Sequence, residues 1–188
     1  MAPSIPTTNR VVSRFRPAPP KDDPIYTAVP DDGLCLNAFL LLSPVDDAHQ
    51  VLLGMVDPQA PWREIGGVSA QRLAGLSNRW MLPSRQLFLF ESPQDASRTI
   101  LREQLELDEV ELAGPSVFSE AWTRPNPAGT GQHWDLHFVF RGRWPEGRAV
   151  RASPWLKLAF HDPSRLDRST VGRSHADVLG LAGYPVPD

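Results

Sequence analysis

Runs of consecutive apolar residues alternate along the chain with polar, turn-rich stretches. Leu34–Leu42 and Val51–Val56 are apolar runs separated by the polar segment Ser43–Gln50. Short apolar runs bounded by turn residues are typical of buried β-strands. The same pattern predicts further strands at Val117–Trp122, His133–Phe140 and Trp155–Phe160, an extended segment over Trp80–Glu91 and a short helix near Ser69–Leu76.

The clearest helix start in the sequence is at Ser92. Its side chain can cap a helix, Pro93 suits the first helical position, and Asp95 completes a Ser-x-x-Asp capping box. We expect this helix to extend to about Glu106, and Ser174–Asp177 repeats the signal and predicts a final helix. The hydrophobic register of the first helix predicts that Ala96, Ile100 and Leu101 are buried and that Arg98 and Arg102 are exposed.

Length and composition narrow the class of protein. The 188 residues suffice for one domain with a hydrophobic core, and 41% hydrophobic with 22% charged residues is an ordinary globular composition. A net charge of −3 argues against a general nucleic-acid binder. No apolar run is long enough to span a bilayer and no signal peptide is evident, so we expect a cytoplasmic protein that does not bind membranes. As the sole cysteine, Cys35 cannot form an internal disulfide, and its apolar surroundings predict a buried side chain.

The N-terminal segment differs in composition from the rest of the chain. Residues 1–30 contain seven prolines, and residues 1–21 carry four basic and no acidic residues, so the remainder carries a charge of −7. This composition predicts a proline-rich basic arm followed by one domain over residues 31–188. We expect the arm to lie either on its own acidic body or on a second subunit, which would make the protein a homodimer.

The segment 80–107 reads WMLPSRQLFLFESPQDASRTILREQLEL. It resembles the signature of the Nudix superfamily, the nucleoside diphosphate-linked-X hydrolases. That signature reads Trp-x-Leu-Pro-Gly-Gly, then Gly-Glu-Ser-Pro, an Ala, and Arg-Glu-hydrophobic-x-Glu-Glu-x-Gly-hydrophobic, and the spacing here fits without a gap. The matching residues are Trp80, Leu82 and Pro83 at the opening, Glu91–Pro93 in the loop, and Ala96, Leu101, Glu103 and Leu107 in or after the helix.

Many signature residues are nevertheless replaced. Among the three helical carboxylates that the resemblance implies, only Glu103 is present. The replacements are Ser84 and Arg85 for the paired glycines, Phe90 for the glycine before the loop glutamate, Thr99 and Ile100 for the Arg-Glu pair, Gln104 for the second glutamate and Glu106 for the last glycine.

The helical replacements bear on metal binding. Side chains at i, i+3 and i+4 share one helix face, where three carboxylates can converge on Mg²⁺ or Mn²⁺. Such a metal neutralises pyrophosphate oxygens and activates water. Here that face presents Ile100, Glu103 and Gln104. The resemblance implies Mg²⁺ or Mn²⁺ if the protein is active, with Glu103 and Glu91 as catalytic candidates. A rebuilt metal site would use Glu103, Gln104 and Glu120 as ligands; the missing carboxylates leave open that no metal binds.

Several of these residues have a second interpretation. Glycine allows the backbone to approach a phosphate closely, and Arg85 blocks that approach. Arg85 either contacts the phosphate as a cation or is a solvated loop residue. We therefore keep Arg85 and Gln104 as candidate ligand-binding residues. Glu91 either assists at the site or suits the helix N-terminus. Glu120 either supplies a replacement carboxylate or lies on the surface.

A second candidate site lies on the strand after the signature helix. Because side chains alternate along a strand, His133, Asp135 and His137 share one face, and two histidines with a carboxylate can bind a transition metal. In Nudix proteins the strands after the signature helix often line the ligand cleft. The more common explanation of this pattern is a strand with a solvent-facing polar side.

Taken with the resemblance, these features predict an α+β protein, an α/β/α sandwich of Nudix type with a mixed sheet between helices. The favoured functional hypothesis is a protein that binds a nucleotide-like or pyrophosphate-containing small molecule with weak or no hydrolysis. One alternative is a divergent Nudix hydrolase with a rebuilt metal site. Another is a non-catalytic assembly module, in which the arm clasps a second subunit.

Overall fold

The computed structural model describes residues 14–15, 34–68, 70–122, 133–150 and 154–188. Its elements in chain order are the strands and helices β1 (Arg14–Phe15), β2 (Leu34–Ser43), β3 (Val51–Val56), α1 (Trp62–Gly66), α2 (Ala70–Leu76), β4 (Ser84–Gln86), α3 (Pro93–Leu105), β5 (Leu112–Trp122), β6 (His133–Arg143), β7 (Trp155–His161) and α4 (Arg173–Leu181). The predicted strands and helices are present, with β5 and β6 longer than expected. The predicted turn over residues 124–131 lies outside the described residues.

The main sheet is mixed. Its strand order is β1-β2-β6-β5, and β4 also pairs with β2. β2 and β6 run parallel along their whole lengths, from Leu34 opposite Trp134 to Ser43 opposite Arg143. β1, β4 and β5 pair with their neighbours in the antiparallel sense. β2 is therefore the central strand, which explains why its sequence is apolar on both faces.

The two faces of β2 pack against different helices. Leu40 and Leu42 belong to a cluster that includes Ile100 of α3, whereas Phe39 and Leu41 belong to a second cluster that includes Leu179 of α4. Alternate residues of a strand point to opposite faces, so one strand contributes to both cores. The result is a mixed sheet between helices, which confirms the fold expected from the sequence and its resemblance to the Nudix superfamily.

A separate two-stranded sheet is formed by β3 and β7. β2 and β3, although consecutive in the chain, are therefore not paired with each other. Gly54 of β3 is needed for close packing, because a Cβ there would lie 2.3 Å from the Trp155 ring. Trp155 in turn packs edge-on against Trp62 of α1, with ring centroids 4.6 Å apart. In α1 the Gly66-Gly67 pair forms a turn, with Gly67 as the left-handed cap at φ 68°.

The start of α4 differs from the prediction. Gly172, not Ser174, occupies the N-cap, and no side chain caps the helix. The Gly172 carbonyl accepts from the N–H groups of His175 and Ala176, while its own N–H donates to the Trp80 carbonyl. Pairing of the preceding segment with Trp80 thus sets where the helix begins. The capping-box prediction for Ser174–Asp177 was wrong in its position, although a helix does form there.

Arg14 and Phe15, the described residues of the N-terminal segment, pair antiparallel with Cys35 and Leu34. The rest of the arm predicted over residues 1–30 lies outside the described residues. Among the described helices, none combines the length and apolar character required to cross a bilayer.

Burial of His161 at the end of β7 makes stability depend on pH. Its ring lies against Trp80, with ring centroids 4.0 Å apart, and burial lowers the pKa of His161 from its ordinary value of 6.5. Below that value the unfolded chain binds more protons than the folded chain, so we expect the free energy of unfolding to decrease as pH falls. His161→Gln should remove this part of the decrease. Urea unfolding at about pH 7.5 and about pH 5.5 measures the effect; equal pH dependence in wild type and His161→Gln would contradict it.

Candidate functional site

The signature segment forms a strand, a loop and a helix, as its local sequence requires. Ser92 is the N-cap of α3, and its Oγ accepts a hydrogen bond from the Asp95 N–H at 3.1 Å. Pro93 is the first helical residue and Glu106 is the C-cap. The expected burial is confirmed: Ala96, Ile100 and Leu101 are buried, and Arg98 and Arg102 are exposed.

Two positions at which the family pattern has glycine keep a glycine-like backbone. Phe90 has φ 66° and Glu106 has φ 53°. Side chains are disfavoured in this left-handed region, and for a bulky residue such as Phe90 the conformation is unusual. The Phe90 side chain is 91% exposed, so no packing around its ring explains the conformation. The backbone path of the loop and helix end is thus kept although the glycines are absent.

Two of the three positions on the helix face that would hold a metal are buried and contact other parts of the protein. Ile100 is fully buried between α3 and the sheet. Gln104 is also fully buried, and its side-chain amide is bound to backbone on both sides. Its Oε1 accepts from the Ser84 N–H at 3.2 Å, and its Nε2 donates to the carbonyls of Ser84 and Ile65 at 2.8 and 3.2 Å. Gln104 therefore joins α3 to β4 and to α1, and its oxygen is not directed to a ligand.

Arg85 is a buried cation beside the remaining carboxylate. Its side chain is fully buried, with its Nη1 3.8 Å from Glu103 Oε2 and its Nη2 3.6 Å from Glu91 Oε1. The guanidinium also lies over the Phe88 ring, 4.3 Å from the ring centroid. Of the two interpretations of Arg85, the solvated loop residue is wrong, because β4 pairs with the central strand and carries the side chain inward. Its burial equally leaves no exposed guanidinium for a phosphate to meet.

Glu91 and Glu103 each form an ion pair with the Arg85 guanidinium. Glu91 Oε2 accepts from the Phe88 N–H at 2.9 Å and so closes the loop before α3. Glu103 is partly exposed and also lies 3.6 Å from the exposed Arg102 guanidinium. Both carboxylates are thus engaged with arginine or backbone groups. We name Arg85, Glu91 and Glu103 the arginine-centred triad.

The polar face of β6 is buried, contrary to the expectation of a solvent-facing side. Asp135 accepts from Asn37 Nδ2 at 3.2 Å, and His137 Nε2 lies 3.0 Å from Glu120 Oε2. Glu120 is correspondingly not a simple surface residue. The side chain of the third predicted member, His133, lies outside the described residues. β6 lies between β5 and β2 in the sheet, so Asp135 and His137 each meet a polar side chain of a neighbouring strand.

Two polar groups of this region were not singled out from the sequence. Asn37 interrupts the apolar run of β2, and this interruption was the signal that could have pointed to it. His175 of α4 is buried, and its Nδ1 accepts from the Leu82 N–H at 3.1 Å. No local pattern marks His175, because its partner is 93 residues away in the chain. The Phe39 ring lies between the rings of His137 and His175, at centroid distances of 5.1 and 5.4 Å.

These side chains enclose a small recess beside the arginine-centred triad. Its volume is about 30 Å³, and Asn37, Arg85, Asp135, His137 and His175 are among the residues that line it. A volume of this size admits about one or two water molecules, whereas small-molecule sites usually have about 300 Å³ or more. A wider groove of about 600 Å³ lies at the other end of β2 and β6, where Arg141, Arg143 and Tyr184 contribute to its lining.

The donor set does not fit the divalent metal that the family resemblance implies. Within the part of the chain that the structure describes, no group of three or more His, Cys, Asp or Glu side chains could hold a metal ion. At the signature helix, an isoleucine and a hydrogen-bonded amide replace two carboxylates, and a guanidinium lies against the third. Mg²⁺ prefers several hard oxygen ligands, and these residues do not provide them.

Comparison with known proteins gives a consistent result at the level of the fold. No family model matches the sequence, and no curated protein matches it. Solved structures do match. The Escherichia coli dihydroneopterin triphosphate pyrophosphohydrolase aligns over 78% of this chain and 92% of its own, with 10% identity and a TM-score of 0.53. A mutT/nudix family protein from Listeria innocua covers 79% of this chain and 91% of its own, with 17% identity and a TM-score of 0.52.

A third similar structure is the NUDIX domain of Shewanella oneidensis NrtR, which was crystallised with ADP ribose. It covers 86% of this chain and 91% of its own, with 12% identity and a TM-score of 0.51. At such low identity the likeness concerns the arrangement of strands and helices. Together with the mixed sheet, the flanking helices and the spacing of the signature segment, it shows that this chain has the Nudix fold.

Proposed function

We propose that this protein binds a nucleotide-like or pyrophosphate-containing small molecule and hydrolyses it weakly or not at all. One observation carries the proposal. Glu103 is the sole carboxylate at the three α3 positions where the family pattern has metal ligands. At the other two positions, Ile100 lies in the core and Gln104 is bound to backbone. With Ile100 and Gln104 engaged in this way, the helix retains its structural role while losing its metal ligands.

The ligand class is supported by the fold rather than by a formed cavity. A structure of the same fold contains ADP ribose, and another is a pyrophosphohydrolase. The recess beside Arg85 is too small for a nucleotide. We therefore place the ligand outside this recess, beside Glu120, whose side chain is 16% exposed and contacts His137 of the recess lining.

The test has two measurements on the same protein. ADP-ribose, dinucleoside polyphosphates and nucleotide sugars are incubated with Mg²⁺ or Mn²⁺, and phosphate-containing products are followed by phosphorus NMR. We expect little or no turnover, because two of the three helical carboxylates are absent. Titration calorimetry with the same compounds should show binding, and chelation of divalent ions should not abolish it.

A pair of matched variants locates the bound molecule. Glu120→Gln, beside the recess, should lower the dissociation constant by about threefold, or about 0.7 kcal/mol, because it removes a negative charge beside an anionic ligand. Arg143→Gln, which lines the distant groove, should leave it unchanged. Rapid hydrolysis that is lost in Glu103→Gln would instead support the divergent hydrolase. Absence of binding to every compound would contradict the proposed function.

We infer further that the N-terminal arm covers the body of its own subunit. The antiparallel pairing of Arg14 and Phe15 with Cys35 and Leu34 supports this inference. A homodimer in which the arm reaches a second subunit stays a prediction, as do the non-catalytic assembly role and the division into an arm over residues 1–30 and a domain over residues 31–188.

A further inference from the structure

The arginine-centred triad contains a cation at the place where the family pattern leads one to expect a metal. Arg85 occupies the second position of the paired glycines, and its guanidinium lies within 4 Å of carboxylate oxygens of both Glu91 and Glu103. The side chain of Arg85 is fully buried, and those of Glu91 and Glu103 are 13% and 21% exposed. The positive charge is therefore built into the protein and is not exchangeable with solvent.

A buried guanidinium stays charged, because arginine is not deprotonated in proteins. Removing such a charge from water is costly unless opposite charges accompany it. Glu91 and Glu103 supply them, and the face of the Phe88 ring adds a favourable cation–π contact at 4.3 Å. Arg85 therefore requires Glu91 and Glu103 as counter-charges, whether or not a ligand binds.

The same geometry is unfavourable for a divalent ion. An ion bound to Glu103 would lie close to the guanidinium, and like charges at a few ångströms in a poorly solvated site repel strongly. Binding would also require Glu103 to give up Arg85 as a partner, which would leave a buried cation with fewer counter-charges. With Ile100 and Gln104 on the same helix face, no other helical oxygen compensates.

We propose that Arg85 is an internal cation that replaces the divalent metal of the Nudix box and keeps such metals out. This inference deepens the proposed function and rests on it in one respect, namely that the box operates without metal. It assigns to Arg85 the neutralisation of Glu91 and Glu103 that an ion would otherwise provide. The missing helical carboxylates and the presence of Arg85 therefore both disfavour binding of a divalent ion.

The test measures metal binding directly. Mn²⁺ is titrated into the full chain and free Mn²⁺ is followed by electron paramagnetic resonance. Wild type should show no binding that depends on Glu103. Arg85→Gln, which removes the charge, should bind Mn²⁺ at least about tenfold more tightly than wild type. Arg85→Lys keeps a cation and is the matched control, so it should behave as wild type, and adding Glu103→Gln to Arg85→Gln should abolish the new binding.

Two results would overturn the proposal. One is Glu103-dependent Mn²⁺ binding by wild type, and the other is a folded Arg85→Gln protein that binds Mn²⁺ no better than wild type. If Arg85→Gln does not fold, Glu103→Gln alone is melted in the presence of a chelator. Because Glu103→Gln deprives the buried Arg85 of a counter-charge, this variant should melt about 5 °C or more below wild type. An unchanged or raised melting temperature would contradict the proposal.

The outcome can be separated from that of the proposed function. Mn²⁺ affinity of Arg85→Gln reports on the internal cation without any organic ligand present. Calorimetry with ADP-ribose and related compounds reports on ligand binding by wild type without any metal. If Arg85→Gln gains no Mn²⁺ affinity but wild type binds an organic ligand, the proposed role of Arg85 is wrong and the proposed function stands. If Arg85→Gln gains Mn²⁺ affinity but wild type binds no organic ligand, the role of Arg85 stands and the proposed function is wrong.

Discussion

Ile100→Glu, which restores the family carboxylate at this position, is expected to destabilise the protein by about 4 kcal/mol or more. Ile100 is fully buried in the cluster that joins α3 to the central strand, together with Leu40 and Leu52. A carboxylate there would lose its hydration without gaining a partner. The change is comparable to the whole stability of many domains, so we expect much of the protein to be unfolded at room temperature. Urea unfolding followed by circular dichroism measures it.

Two controls accompany this variant. Thr99→Arg restores the neighbouring family residue at a partly exposed position, and it should change stability by no more than about 0.5 kcal/mol. Ile100→Val keeps the apolar character and should cost about 1 kcal/mol. If Ile100→Glu remains within about 1 kcal/mol of wild type, the helix face is not committed to packing and the account of the lost metal site is incorrect.

Gln104→Glu restores the second carboxylate and is expected to destabilise the protein by about 3 kcal/mol at neutral pH. The substitution removes the amide donor to the Ser84 and Ile65 carbonyls and places a carboxylate oxygen against those oxygens. Burial should raise the pKa of the new carboxyl above its unfolded value. Its neutral form is favoured in the folded chain, so the loss of stability should be smaller near pH 4 and should grow as pH rises.

The matched control uses the same substitution elsewhere on the same helix. Gln94→Glu lies in the first turn of α3 at an exposed position, where a negative charge is neutral or slightly favourable. Comparing the two variants over a range of pH separates burial of the charge from a general effect of glutamate on the helix. Equal stability of both variants at neutral pH would show that the amide of Gln104 is dispensable.

Much of the fold follows from local signals that the sequence contains in full. Ser92, Pro93 and Asp95 define where α3 begins, because capping uses groups only a few residues apart. Continuous apolar runs predicted β2 and β3 as buried strands. The prediction at Ser174 failed for the opposite reason: the start of α4 is set by a hydrogen bond between Gly172 and Trp80, which are distant in the chain.

The candidate site could be located but not interpreted from the sequence. The spacing of residues 80–107 identified the segment, the missing carboxylates and Glu103. It did not show that Arg85 is buried, since an arginine among loop-forming residues is usually solvated. It also did not show that Gln104 binds backbone or that His137 contacts Glu120, because each contact joins different elements of the sheet and helices.

The sequence by itself therefore determined the elements, their boundaries near the signature and the absence of two metal ligands, since these depend on residue identity and short-range hydrogen bonding. The tertiary structure decided what the replacements do. Parallel pairing of β2 with β6 brought Asn37 to Asp135 across 98 residues of chain, and pairing of β4 with β2 turned Arg85 inward toward Glu91 and Glu103. The physical reason is that burial and charge pairing depend on which elements become neighbours, and that choice is made by the packing of the whole chain.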